Sequence, residues 1–124
     1  MRELQKYLDE IAEWLGEAFS ICVVGDDGLV LASKTRPGGE NAELTSAVLT
    51  DVMRSISRIV DEVKKGRLVD NLLSTVDAHF LTKQLDDEGK AFLAIGVPRG
   101  SNLGAARYVS KIYAEKLKAA LPEA

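Results

Sequence analysis

The sequence predicts an α+β fold, an α/β sandwich in which helices pack on one five-stranded antiparallel sheet. Three observations predict it. Apolar residues recur at helical spacing in long stretches at the start, the middle and the end of the chain. Short apolar, β-branched runs fill the two intervals, two runs in the first and three in the second. Acidic-glycine steps lie between runs in both groups, so those neighbouring strands pair by hairpins. The predicted order is α-β-β-α-β-β-β-α, and a single antiparallel sheet carrying the helices is the economical way to bury their apolar faces.

Each element has its own signal. Arg2 to Ala18 reads as the first helix: Leu4, Tyr7, Leu8, Ile11, Leu15 and Ala18 share a face. Glu3, Lys6, Glu10, Glu13 and Glu17 fall largely on the other side. Phe19 to Val24 and Leu29 to Ser33 read as strands around the turn Gly25-Asp26-Asp27-Gly28, where glycine supplies the positive φ. Thr35 to Glu40, with Pro37, Gly38 and Gly39, reads as a loop. Asn41 is placed to cap a second helix from Ala42 to Lys64, and Lys65-Gly66 to stop it. Arg67 to Thr75, His79 to Leu85 and Lys90 to Val97 complete the sheet, with Asp86-Asp87-Glu88-Gly89 turning between the last two. Pro98 to Asn102 leads into a final helix, Leu103 to Leu121, with Tyr108, Val109, Ile112, Tyr113 and Ala120 on one face. Loops are short and no linker or repeat divides the chain, so residues 1–124 read as one domain.

Composition narrows the function. The hydrophobic share of 46% and charged share of 28% are those of a globular protein and exclude general disorder. With 16 basic and 19 acidic side chains the net charge is -3, so no strong positive field recruits nucleic acid. A local basic cluster gathers late in the chain: Arg99, Arg107, Lys111, Lys116 and Lys118. It reads as a solvated helix face or as a docking patch for an acidic partner. Cys22 is the one cysteine, which forbids an internal disulfide and fits a reducing compartment. The first residues carry no apolar signal run, and no stretch is long and apolar enough to span a bilayer. The expected location is the cytoplasm, with membrane contact only through a partner.

The second helix is the most informative segment. At 100° per residue, Leu44, Val48, Val52, Ile59 and Val63 form one stripe, and Leu49, Met53, Ile56 and Val60 form a second beside it. A helix on a sheet needs an apolar arc only a little over ~100° wide, so part of this one needs a further partner. Ser46 and Ser57 border the second stripe and would let another backbone come close. Two covers are open: another helix of the same chain, or the same helix of a second copy across a twofold axis. The dimer reading puts Leu49, Met53, Ile56 and Val60 near that axis.

Catalytic chemistry has few carriers. His79 and Cys22 cannot build a zinc site of the usual soft-ligand kinds within one chain. Cys22 lies in an apolar strand, where a thiol behaves as a small hydrophobe, and a lone strand histidine reads as structural or solvated. The carboxylates Asp26-Asp27 and Asp86-Asp87-Glu88 suit turns and do not match the spacing of a calcium loop. Gly25 to Gly28 opens a strand rather than a helix, so it lacks a phosphate-binding helix N-terminus. Gly100-Ser101-Asn102-Leu103-Gly104 does precede a helix, without the lysine of a P-loop. No catalytic residue, cofactor or metal is expected.

Two segments carry a family resemblance. Val23-Val24-Gly25-Asp26-Asp27-Gly28-Leu29-Val30-Leu31-Ala32-Ser33 is similar to a hairpin with an acidic-glycine turn and a strand ending in small residues. Phe92-Leu93-Ala94-Ile95-Gly96-Val97, followed by Ser101-Asn102-Leu103-Gly104-Ala105-Ala106-Arg107, resembles a last strand and an Asn-Leu-Gly entry to the final helix. With the element order, these make the whole chain resemble the Roadblock/dynein-light-chain family, and its stand-alone bacterial gliding-motility regulators of a GTPase in particular. The resemblance implies a homodimer that joins two sheets through the middle helix and the following strand, here Leu68, Asp70 and Leu72. It implies a non-catalytic scaffold or regulator of a small Ras-like GTPase, with Arg54 and Arg58 on the outer side of the middle helix as partner contacts. The other function considered is a small-molecule sensor, whose mark would be a roomy pocket between sheet and helices.

Overall fold

The computed structural model describes residues 2–37 and 41–122. Its elements are α1 (Arg2–Trp14), β1 (Ser20–Gly25), β2 (Val30–Thr35), α2 (Ala42–Val63), β3 (Asp70–Ser74), β4 (Ala78–Gln84), β5 (Ala91–Pro98) and α3 (Leu103–Ala119). The order is the predicted one. All strand pairs are antiparallel, and the sheet order is β2-β1-β5-β4-β3. A hairpin (β1, β2) and a three-strand meander (β3, β4, β5) are therefore fused through β1 and β5, from Ser20 opposite Gly96 to Gly25 opposite Ala91.

The sheet has a core on each side. Side chains alternate along a strand, so Ile21 and Val23 of β1 join Leu93 and Ile95 of β5 on one face. There they meet Leu4, Leu8 and Ile11 of α1 and Val109, Tyr113 and Leu117 of α3. Cys22, Val24, Phe92 and Ala94 point the other way, against Leu49 and Met53 of α2. The result is three layers: α1 and α3, the sheet, then α2.

Element ends differ from the sequence reading for identifiable reasons. The first helix ends at Trp14 rather than Ala18. The guanidinium of Arg36 donates to the carbonyls of Ala12, Leu15, Gly16 and Ala18, so the orphan acceptors at the helix end are met from 18 to 24 residues away in sequence. The second strand starts at Val30, not Leu29, because a register shift at Val23/Val24 takes up a residue, and it runs on to Thr35. The third strand is confined to Asp70–Ser74. Asn41 caps α2 as expected, its Oδ1 accepting from Leu44 N at 3.1 Å. The stop is made by Lys64 itself, at φ 55°, with Gly66 following at φ 102°. Gly38, Gly39 and Glu40 of the expected loop lie outside the described residues.

One glycine is required by a close approach. A Cβ at Gly96 would stand 2.7 Å from Phe19 Cε1 and 2.8 Å from Cζ. That ring cannot swing freely, because it packs edge-on against Phe80 with centroids 5.8 Å apart. Gly96→Ala should destabilise the fold by about 1–3 kcal/mol through overpacking. Chemical denaturation should show a lower midpoint with an unchanged slope; a midpoint equal to wild type would contradict the assigned contact.

Candidate interaction surface on the middle helix

The roll of α2 about its own axis is set by four buried residues: Ser46, Leu49, Thr50 and Met53. The two hydroxyls can be buried because each bonds back to its own helix. Ser46 Oγ donates to Glu43 O at 3.0 Å, and Thr50 Oγ1 to Ser46 O at 2.7 Å. Both lie toward the β1–β2 turn, where Thr50 stands closest to Gly28. Met53 reaches the sheet, its sulfur accepting from Thr82 Oγ1 at 3.0 Å.

This roll corrects the assignment of the two stripes. Leu49 and Met53, expected at a dimer axis, are each 4% exposed within their own subunit and packed on its sheet. They are closed to a partner. Ile56 and Val60 are half-buried at the edge of that contact. The surplus apolar surface is the other stripe: Leu44, Val48, Ile59 and Val63 are 53 to 66% exposed. The sequence signal for this was present in Ser46 and Thr50. Hydroxyls that bond back to a carbonyl one turn earlier can face a sheet, and they mark the buried side as well as leucine does.

The strand that follows α2 adds to this surface. In the β3–β4 pair, Gln84 N bonds Val69 O at 2.9 Å and Thr75 N bonds Ala78 O at 2.8 Å. Alternation along an antiparallel ladder then turns the backbone groups of Asp70, Leu72 and Ser74 away from β4, to the free edge of the sheet. Asn71 and Leu73 pair with Thr82 and Phe80, which places them on the α2 side, and Leu73 is partly exposed. Leu72 turns its side chain to the opposite core and Leu68 leans on the α2 core. The other sheet edge is guarded. Gln5 Nε2 of α1 donates to Ser33 O of β2 at 3.0 Å, and Lys34 pairs with Asp9 at 3.5 Å.

Arg54 and Arg58 lie on the polar flank of α2, away from the apolar stripe. Arg54 donates to the carbonyl of Asp26 in the β1–β2 turn. Both line an open groove of about 730 Å³ that also takes in Asp61, Glu88 and Gln84, with Met53 and Phe92 beneath.

The remaining polar groups are used locally. Burial pushes the Cys22 thiol above its ordinary value, Ser20 opposes the shift, and Glu43 adds to it. His79, 7% exposed, stands 2.6 Å from Ser74 Oγ through Nδ1 and 3.1 Å from the Arg99 carbonyl through Nε2. A carbonyl only accepts, so Nε2 donates to it. Asp27 and Asp86 accept backbone N–H bonds from Leu29 and Lys90, as turn carboxylates do. Among the described residues no three His, Cys, Asp or Glu side chains group to hold a metal ion, and no helix is long and apolar enough to cross a membrane.

Three paired antiparallel strands after a long middle helix, two before it, and helices on both faces define an α+β sandwich. A family model described as Roadblock/LC7 domain matches residues 12–96, and the chain belongs to that family. An uncharacterised protein of Methanocaldococcus jannaschii is 34% identical over 97 residues, covering 78% of this chain and 82% of that protein. Among solved structures, the gliding protein MglB from Thermus thermophilus superposes with a TM-score of 0.83 at 14% identity, over 95% of this chain and 87% of that one. A Roadblock/LC7 domain from Streptomyces avermitilis gives 0.82 at 11% identity, over 94% and 95%.

The two stripes are separable by substitution. Met53→Asp places an unpaired carboxylate in the subunit core and should lower stability by several kcal/mol. Ile59→Asp, on the exposed stripe, should leave the helical and strand signal of a single subunit intact. Circular dichroism with denaturation distinguishes them, and equal loss in both would reverse the assigned roll.

Proposed function

We propose that this chain is a non-catalytic homodimeric scaffold or regulator of a small Ras-like GTPase, working in the cytoplasm. The observation that carries the reading is the uncovered apolar stripe of α2 beside a strand with a free edge. A second copy supplies both missing partners. Its α2 lies against Leu44, Val48, Ile59 and Val63, with Ile56 and Val60 at the margin. Its β3 adds antiparallel to β3, so that Asp70 and Leu72 bond through their main chains and Leu68 closes the end of the contact.

Magnitudes indicate why both parts are needed. Burying one large aliphatic side chain is worth about 1.5–3 kcal/mol, and these four are already partly covered. Two copies of the stripe therefore gain on the order of 8–14 kcal/mol, against an association cost of about 4–15 kcal/mol. The stripe alone comes close to break-even, and main-chain pairing at β3 tips the balance. Membership of the Roadblock/LC7 family and the likeness of fold to MglB support the reading. Arg54 and Arg58, on the flank turned away from the twofold contact, are the proposed GTPase contacts.

A second reading, a small-molecule sensor, draws on the groove of about 730 Å³ beside those arginines. Its volume suits a ligand, although its open, charged rim suits a protein loop better.

Light scattering at micromolar concentration should give twice the 13.4 kDa chain mass. Ile59→Asp should give one chain mass with its circular dichroism retained. The wild type should capture a GTP-loaded Ras-like protein from its native cell extract and, on its own, turn over no GTP. Arg54→Ala with Arg58→Ala should keep the dimer and lose the capture. A wild-type monomer overturns the dimer. Retention only of a metabolite in the groove favours the sensor.

A further inference from the structure

α2 is seated on the sheet along only part of its length. Its buried residues, Ser46, Leu49, Thr50 and Met53, all precede Arg54, and none of residues 54–63 is buried. At ~100° per residue the line that faces the sheet continues through Ser57 and Lys64, with Asp61 to one side and Val60 to the other. A hydroxyl, an ammonium and a carboxylate thus follow where Leu49 and Met53 were packed. The space left beneath them is the groove of about 730 Å³, with Gln84 and Phe92 of the sheet on its far wall. The register places those two residues opposite each other on β4 and β5, so both turn to the α2 side.

The polar groups of this groove are sorted into two compartments. Arg54 and Arg58 stand one turn apart on the rim, a spacing at which like charges destabilise a helix. Neither takes part in an ion pair among the described residues, and Arg54 donates to the Asp26 carbonyl instead. Ser57, Asp61 and Gln84 also line an adjoining hollow of about 230 Å³, which neither of these arginines reaches. The other charges there are engaged: Arg67 pairs with Asp87 at 2.7 Å, Glu88 with Lys90 at 3.2 Å, and Asp86 accepts from Lys90 N at 2.7 Å. Asp61 joins no ion pair among the described residues. Gln84 Oε1 is shut off from solvent and accepts no hydrogen bond from the protein, an unmet acceptor of a kind that folded proteins rarely keep. Its terminal torsion is soft, so the amide can turn to a donor in the groove. Of the remaining charged groups, Glu62 lies ~140° round the helix from Ser57 and Lys64 follows the helix end. The groove is therefore bipolar, with guanidiniums at the rim and unmet acceptors within.

We infer that this groove binds a small zwitterion with an apolar body, an amino acid or short peptide with both ends free. Its carboxylate takes the Arg54 and Arg58 guanidiniums, whose forked donors match it. Its ammonium donates to Asp61 and to Gln84 Oε1, and its apolar part lies over Met53 and Phe92. A simple anion would leave Asp61 and Gln84 unmet, and a simple cation would leave the arginines unmet. The site stands without the GTPase reading. Because it uses the arginines assigned there to the partner, ligand and partner exclude each other, and that consequence alone rests on that reading.

The test titrates three probes, L-leucine, Leu-Leu and Leu-Gly-Leu, into the isotope-labelled full chain and follows its amide resonances. The three lengths bracket the distance between the two compartments. At least one probe should bind with a Kd on the order of 1 mM and shift the resonances of Ser57, Asp61 and Gln84. N-acetylation or C-amidation of that probe should each weaken binding about tenfold. Arg58→Ala should weaken the free probe about tenfold and leave the C-amidated probe unchanged. Asp61→Asn should do the same to the free probe and leave the N-acetylated probe unchanged. Both side chains are exposed, so both variants should keep the circular dichroism of wild type. A blocked probe that binds as tightly as the free one reduces the groove to a simple anion or cation site and overturns the inference. Equal loss of free and blocked probes in either variant overturns it too, as do shifts confined to other parts of the chain or no binding of any probe at tens of millimolar. A chain that binds the probe but captures no Ras-like protein keeps the site and loses only the exclusion.

Discussion

The antiparallel pairing of β1 with β5 is the joint on which the rest of the molecule depends. Among the described residues it is the only connection within the sheet between the hairpin that precedes α2 and the meander that follows it. Six register pairs make that joint, and their side chains are buried on both faces because helices cover both. Once β1 and β5 are side by side in this register, Cys22, Val24, Phe92 and Ala94 must form one floor and Ile21, Val23, Leu93 and Ile95 the other. The two helical layers are then consequences. α1 and α3 close the larger core, and α2 crosses the smaller floor, too small to use all of the apolar surface that α2 carries. The unspent stripe of α2 is the physical origin of the proposed dimer.

Most of the fold was legible because its signals are local. The Asp-Gly turns, the Asn41 cap and the period of each apolar run involve neighbours in sequence, and each element was found where these signals placed it. Two features were not legible in that way. The end of α1 depends on Arg36, whose contact with the helix end spans a hairpin, so no window around Trp14 contains the cause. The face that α2 turns to the sheet is the second, because Leu49 and Met53 are as apolar as Leu44, Val48, Ile59 and Val63, so hydropathy alone does not rank the two stripes. What separates the stripes is polar. Ser46 and Thr50 lie next to Leu49 and Met53 on the wheel, and helix-bonded hydroxyls are compatible with burial. The backbone groups of the strand residues Asp70 and Leu72 point to a free edge.

The residues that carry chemistry elsewhere are committed here to holding the frame. His79 ties the end of β3 to the turn after β5, through Ser74 and the Arg99 carbonyl. Arg99 in turn donates to Thr75 O at 2.7 Å, so the same corner is closed twice. Cys22 is held in the neutral form by the burial that makes it part of the α2 floor, which removes its nucleophilic form. The apolar stripe of α2 and the free edge of β3 are left outside this frame.

The two edges of the sheet are treated differently. An open edge strand invites pairing with any other chain, and proteins guard against it with charges or covering groups. On β2 the guard is in place. Ser33 and Thr35 alternate with the residues bonded to β1, so their main-chain groups face outward, and α1 reaches down to satisfy Ser33 O through Gln5 while Lys34 is engaged by Asp9. β3 has no equivalent among the described residues: no side chain from a helix or loop bonds the outward groups of Asp70, Leu72 or Ser74. The strand carries only Asp70 as a charge, at its first position, with Leu72 and Leu73 at its centre. A lone edge of this kind is an aggregation hazard, and the hazard is removed when a second copy of β3 closes it. The unguarded edge follows directly after the helix whose apolar stripe is uncovered. The proposed twofold contact would resolve both defects at once, which neither an additional helix nor a bound small molecule would do.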